Sequence, residues 1–398
     1  MERKGRLGFV PARYGDGVVG GAEAVLREMA HGLAQRGWEV DVLTTCARDH
    51  FTWDNVFDAG VETVADGVTV RRFPTVISTA RAERAAFNAA ISAGAPLRMF
   101  EQERWMNDDL RLPEMFHYLL DHSDEYRALV FAPYLFWPAF ACGQVAPDRT
   151  ILMPCLHDEP EAYLDIFHPV FSGSRGLWFL SDPECELAQS IHPRLTDFEV
   201  IGSGLDVPEH YDPAGFRARH GIEGPFVMYA GRREGGKNWE PMLDAFARAV
   251  INGGLPLSLV TMGHGEVVAP PEIADRVFDL GYVTEAERND AYAAASAYIQ
   301  PSAFESFSRT MMEAWLAGTL VIAAGASAVN RWHCDRSGAG LVYDDDDEFE
   351  ECLRFVAEAP EAAAGIAAAG RQYVLDHYTW PPVLDAVERT IDTWLPWS

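Results

Sequence analysis

The stretch 297–325, AYIQPSAFESFSRTMMEAWLAGTLVIAAG, holds two short apolar runs with a helix-like segment between them. The first run reads as a strand that ends at Pro301 and delivers Glu305 into a loop. A helix is predicted to start near Ser306 to Arg309, and it carries Glu313, eight residues after Glu305. Both carboxylates can then face one cleft. In an open parallel sheet a ligand sits beyond the carboxyl ends of the strands. Glu305 there could accept bonds from hydroxyls of a ligand, as could Glu313 further along the helix. The amides of Phe307, Ser308 and Arg309 would point at the same ligand from the helix start.

Outward from this unit the pattern repeats. PFVMYAG, LSLVTMG, RVFDLGY and AGLVY are further apolar runs of the second half, each separated by a helix-like stretch. RLGFVP, EVDVLTT, VTVRRF, ALVFAP, TILMPC, LWFLS and FEVIGSG play the same part in the first half, and the helix from Ala22 to Arg36 ends at Gly37. Strand alternating with helix predicts an α/β chain of two doubly wound, Rossmann-like domains. GSGLDVPEHYDPAGFRARHGIEG, rich in glycine, proline and charge, reads as a linker or hinge near residues 205–222. The predicted domains are therefore 1–205 and 206–378. A mixed, helical insertion interrupts the first at about 75–125 and is a candidate for meeting an acceptor. Residues 379–398 are predicted to form an amphipathic helix packing back toward the N-terminal domain.

A length of 398 residues fits two full cores. The formal net charge of -28 opposes binding to nucleic acid or to an anionic membrane surface. The chain shows neither a signal-peptide pattern nor a run of about 18 apolar residues, so a cytoplasmic location is expected, with peripheral contact to a membrane left open. The six cysteines are scattered and read as reduced and buried.

Two glycine-rich turns stand at helix starts. In YGDGVVGGAEAVLREM, Gly20 and Gly21 would let an anion approach free backbone amides, although the spacing is not that of a dinucleotide binder. In AGRREGGKNWEPMLDAF, Arg232 and Lys237 surround a helix N-terminus, which makes a ready site for a diphosphate. Lysine occurs in this chain only at Lys4 and Lys237. A lysine kept in mid-sequence by so arginine-biased a chain suits a compact ammonium meeting a phosphate. Asp344 to Asp347 read as a solvated turn rather than a metal site.

GRREGGKN, LVTMGHGE, FDLGYVTEAERNDAYAAASAYIQPS and the Glu305-x7-Glu313 pair, in that order, closely resemble the retaining GT-B glycosyltransferases of the sucrose synthase and bacterial mannosyltransferase type. GGAE and VIGSGLDV fit as well, so the resemblance spans most of the chain outside about 50–125. It implies two Rossmann-like domains facing each other across a cleft. It further implies transfer of a hexose-type sugar from a UDP- or GDP-sugar to a hydroxyl acceptor, by same-face attack, with no metal and no cofactor beyond the nucleotide sugar. Arg232 and Lys237 would neutralise the leaving diphosphate, Glu305 hold the sugar and Glu313 the ribose. His157, with Asp158 beside it in TILMPCLHDEPEAY, would lie near the reacting sugar, and His264 and Val283 would line the donor side. The acceptor would be a saccharide, a lipid-linked saccharide or a small molecule, and a homodimer is compatible with the pattern. Ser306 and Ser308 depart from the glycines common at these positions and offer hydroxyls to the donor or to the helix as a cap. The same motifs also fit a non-catalytic sugar-nucleotide-binding partner subunit, or a GT-B epimerase or phosphorylase.

Overall fold

A computed structural model describes residues 4–396 apart from Val19, Thr79 and Glu234. Val19 of the first glycine-rich turn, Glu234 of the second and the last two residues of the chain thus lie outside the described residues. The chain forms two compact units. One runs to Gly204 and takes up the C-terminal segment from Trp380; the other is Leu205–Thr379.

The first unit is built on an eight-stranded sheet. Its strands are β1 (Arg6–Pro11), β2 (Glu39–Thr45), β3 (Gly60–Thr63), β4 (Thr69–Phe73), β7 (Ala128–Ala132), β8 (Thr150–Leu152), β9 (Gly176–Phe179) and β10 (Asp197–Val200). The order is β10-β9-β8-β7-β1-β2-β4-β3, parallel except where β3 pairs antiparallel with β4. The central strands are buried along their whole length (ALVFA of β7, TIL of β8, GLWF of β9), as a sheet covered on both faces requires. The region 75–125 holds a small antiparallel ribbon, β5 (Val76–Ile77) with β6 (Leu110–Arg111), and the helices Arg81–Ser92 and Met99–Asn107. Trp105 ties these helices together by donating to Asn88 at 2.7 Å. The next helix, Pro113–His122, is the crossover into β7 and so belongs to the βαβ framework. The final helix, Trp380–Trp394, buries Val383, Leu384, Val387, Ile391 and Trp394. It fits where glycines leave room: a Cβ on Gly32 would overlap Leu384, and one on Gly176 would overlap Trp394.

The second unit has six parallel strands: β11 (Phe226–Ala230), β12 (Ser258–Met262), β13 (Val277–Asp279), β14 (Ala297–Gln300), β15 (Leu320–Ala324) and β16 (Gly340–Tyr343). Their order is β13-β12-β11-β14-β15-β16. Its core is formed by Val227, Phe246, Leu259, Ile299, Ile322 and Leu353 with their neighbours.

Two sequence expectations are corrected here. The segment read as a linker contains the helix Pro213–His220, capped by Asp212 accepting from Gly215 N–H at 2.9 Å. Phe216 is buried, and Arg219 pairs with Asp290 at 2.9 Å, so this helix is part of the second unit. Periodicity missed it because a helix of eight residues with one buried aromatic carries little pattern. The acidic run is likewise more than a turn: Asp345 caps the helix Asp346–Glu358 by accepting from Glu348 N–H at 2.9 Å. Asp346 pairs with Arg248 and Asp344 with Arg331, and carboxylates at a helix N-terminus are favoured by its dipole.

All six cysteines are free, and all but the half-buried Cys352 are buried. Among the described residues no helix is long and apolar enough to cross a membrane.

Candidate functional site

In the second unit the chain winds outward from β11 in one direction and from β14 in the other, so the strand order reverses between these two neighbours. Such a switch point leaves a crevice at the carboxyl ends of the strands, where ligands of open α/β sheets bind. The loop after β11 carries Arg232 and Lys237, and the loop after β14 carries Glu305. The Lys237 ammonium meets a Glu305 carboxylate oxygen at 2.7 Å, with the side chains 27% and 12% exposed. The two predicted residues are therefore brought together, at the mouth of the crevice.

The loop after β11 is held by its other arginine. Arg233 is buried, with its side chain only 1% exposed. It donates to Thr261 at 3.2 Å, to the carbonyls of Gly263 and Gly265 at 2.9 and 2.8 Å, and to Asp279 at 2.5 Å. Its amide bonds the His264 carbonyl at 2.8 Å. At Gly263, φ is +130°, and a Cβ would overlap the Gly231 carbonyl. Glycine is needed at 263 for both the dihedral and the close approach of the two loops. Arg232 is half-buried, and its carbonyl accepts the Tyr229 hydroxyl at 2.6 Å. Asn238, in left-handed backbone at φ +55°, leads from the short turn Gly235–Lys237 into the helix Trp239–Ile251.

After β14 the helix Arg309–Leu316 begins one residue beyond Ser308. Ser308 does not cap it, which corrects that expectation. Its backbone is left-handed, φ +65°, and its hydroxyl instead accepts from the Gln300 side chain at 2.6 Å. The Phe307 ring packs inward, edge-on to His333 and Tyr378, which leaves only its backbone for a ligand. Ser306 is buried as well.

Glu313 lies on the helix face toward the helix Glu285–Ala294. Arg288 Nε is 3.1 Å from one of its oxygens and Arg288 Nη2 3.2 Å from the other, and Tyr292 donates at 3.3 Å. Burial works against the Arg288 charge, but Glu313 and nearby groups more than restore it, and the guanidinium is held above its ordinary value. The Tyr298 phenol is pushed well above its usual range, first by burial, with Glu305 and Glu313 both adding to the shift. Both carboxylates thus act on one neighbourhood. Arg288 and Tyr292 were not singled out in the sequence, although their spacing of four places them on one helix face.

On the rim of the same sheet, the His264 ring stacks on exposed Tyr282, with centroids 5.3 Å apart. Val283 follows, just before Thr284, which caps the helix Glu285–Ala294.

In the first unit, Gly20 precedes the helix Gly21–Gln35 with extended backbone. The space left by its missing Cβ is filled by the Glu23 carboxylate, which Arg13 holds at 2.5 and 2.9 Å. Of these two glycines it is Gly21 that has open space beside it. His157 follows β8; its Nδ1 is 3.6 Å from Glu159, whose other oxygen accepts the Tyr134 hydroxyl at 2.8 Å. Asp158 accepts the Tyr163 hydroxyl at 2.6 Å. Among the described residues no group of three or more His, Cys, Asp or Glu lies together as a metal site.

Residues 224–358 match the family model described as Glycosyl transferases group 1. Residues 224–358 thus carry a domain of that description, in a chain whose two-sheet α/β fold is that of GT-B glycosyltransferase structures. Over 98% of both chains it is similar to sucrose-phosphate synthase from Thermosynechococcus elongatus, with TM-score 0.72 and 16% identity. Anabaena HepE in complex with UDP-glucose is similar over 98% of this chain and 99% of that one, with TM-score 0.70 and 16% identity. A phosphatidyl-myo-inositol mannosyltransferase of Mycolicibacterium smegmatis is 26% identical over 219 residues, 52% of this chain. The match spans 56% of that relative, little more than half its length.

Proposed function

We propose that this chain moves a hexose-type sugar from a UDP- or GDP-sugar to a hydroxyl acceptor with retention of configuration and without a metal ion. The observation that carries this reading is the Lys237–Glu305 pair at the switch point, a cation and a carboxylate held 2.7 Å apart. Lys237 and Arg232 take the diphosphate, supported by the start of the helix Trp239–Ile251. Glu305 bonds hydroxyls of the sugar, and Glu313 those of the ribose. The amides of Phe307, Ser308 and Arg309 face the donor. His264 and Val283 line the donor side of the second unit. Gly20, Gly21, Asp158 and His157 are the first unit's contributions, with His157 bonding a hydroxyl of the transferred sugar. The buried free cysteines suit a reducing, cytoplasmic location.

In the reaction, the bond from the anomeric carbon to the diphosphate oxygen breaks as the acceptor oxygen bonds that carbon from the same face. The departing phosphate oxygen takes the acceptor proton. Two cations stabilise the charge that develops on the diphosphate, which is what a metal supplies in other transferases. Closure of the site and orientation of the acceptor supply the rest.

A thermal-shift screen against nucleotide sugars identifies the donor, since a bound donor raises stability by mass action. Proton NMR of donor turnover then reads the anomeric configuration, with and without chelator. Slow release of nucleoside diphosphate with a retained anomer, unaffected by chelator, is expected. Inversion, or activity abolished by chelator, overturns the reading.

A further inference from the structure

The loop that presents His157 is fixed by a residue outside it. Beyond β8, Met153 N–H donates to Phe131 O at 2.9 Å, and Pro154 O accepts from Tyr134 N–H at 3.0 Å. Cys155 then takes left-handed backbone, φ +52°, with its thiol buried. That conformation costs a side-chain-bearing residue about 1–2 kcal/mol and persists only where the surroundings over-determine it. The restraint on the next residue is Glu184: Leu156 N–H donates to Glu184 Oε1 at 2.7 Å.

Glu184 lies in the helix Asp182–Ile191 and is 1% exposed. Its other oxygen accepts from Leu180 N–H at 2.6 Å, at the end of β9. One carboxyl group thus joins the ends of two neighbouring parallel strands. Part of this is helix capping, since Ser181 is the N-cap, accepts from Glu184 N–H, and stands three residues before it. Capping explains bonds to the amides next to the helix start. It does not explain the bond to Leu156, which is 28 residues away in sequence and belongs to another strand. Burial pushes the Glu184 carboxyl up to about 8, against the opposing effect of its amide donors. An apolar side chain would fill this space without the cost of burying a carboxyl, but it could not accept from both strands.

We propose that Glu184 is a positioning residue for transfer, holding the Leu156 amide so that His157, the next residue, is presented in fixed register. This rests on the role given to His157 above. Its effect on the reaction passes through His157 alone.

The test is a double-mutant cycle on the full chain, with turnover of the donor found by the screen as readout: wild type, His157→Ala, Glu184→Gln, and the two combined. A displaced positioning loop costs about 10- to 100-fold in turnover. Glu184→Gln is expected to fall by that factor, and the double variant to be no slower than His157→Ala. A double variant slowed by the product of the two factors overturns the proposal, because Glu184 then acts independently of His157. His157→Ala with wild-type turnover removes the role of His157 itself and this proposal with it, and that failure is recognised from the single variant alone. Should Glu184→Gln not fold, amide exchange in the wild-type protein decides: protection of Leu156 N–H equal to that of the β8 amides is expected, and exchange at an open-loop rate overturns the clamp.

Discussion

Lys237 and Glu305 stand 68 residues apart in sequence, and their side chains meet at 2.7 Å where the strand order of the second unit reverses. The pair is partly exposed, so its contribution to stability is small, on the order of 1 kcal/mol or less. Its place at the crevice suits the role proposed above. Lys237→Ala is expected to lower turnover by about two to three orders of magnitude, the scale for one preorganised charge contact, while the melting temperature moves little. Steady-state kinetics and a thermal melt on the same preparation check both halves.

Neighbouring arginines should separate cleanly. Arg232→Ala is expected to lose turnover on the Lys237 scale. Arg233→Ala removes a buried guanidinium from the Gly263 and Gly265 carbonyls and from the exposed Asp279, and losing these hydrogen bonds to a charged group costs about 3 kcal/mol. For a unit of this size that is a fall of roughly 6–12 °C in melting temperature. A melt in which Arg232→Ala drops further than Arg233→Ala would contradict the assignment.

Arg288 orients Glu313 from the neighbouring helix. Arg288→Met keeps the bulk and removes the charge, leaving the carboxylate with Tyr292 alone. Losing a bond to a charged group costs about 1.5–3 kcal/mol, so the donor KM should rise roughly 10- to 100-fold with kcat changed less. Competitive inhibition by the free nucleoside diphosphate should weaken in parallel.

At Ser308 a left-handed backbone and a side-chain bond to Gln300 oppose each other. Ser308→Ala keeps the strain and loses the bond, and should cost about 1 kcal/mol. Ser308→Gly relieves strain of about 1–2 kcal/mol while losing the same bond, and should be close to neutral. Chemical denaturation of both variants ranks them; alanine at or above glycine would show that the strain is absent.

Burial lowers His333 to about 3 and His192 to about 4, the latter with His168 acting in the same direction. Both rings stay neutral in the folded chain while those of the unfolded chain take up protons near 6.5. Stability from this source is therefore full above about pH 6.5 and lost as pH falls toward about 4 for His192 and about 3 for His333, by up to about 1.4 kcal/mol per pH unit for each ring. His333→Gln should flatten the acid side of a stability-against-pH curve. An unchanged slope would count against the buried neutral ring.

Much of the fold was legible because its signals are local. Apolar runs broken by turn residues mark the strands of both sheets, and the Gly21–Gln35 helix shows its buried stripe at Val25, Leu26, Met29 and Leu33. The candidate site was partly legible for the same reason: Arg232, Lys237 and Glu305 sit at strand ends and helix starts, which punctuation in the sequence locates, and Glu313 lies about one turn into the helix that follows. The helix Pro213–His220 was not visible, being short and stabilised by Arg219 reaching Asp290 rather than by its own pattern.

By itself the sequence determined the α/β class, the two-fold repetition of the doubly wound pattern and the residue types of the candidate site. Only the tertiary structure decided which groups face one another: that Lys237 meets Glu305, that Arg288 sits on Glu313, that Glu23 fills the space beside Gly20, and that Glu184 ties Leu156 to Leu180. The physical reason is range. Periodicity and turn chemistry act over a few residues and are written along the chain, whereas a side-chain pair is selected by where folding brings distant strand ends together.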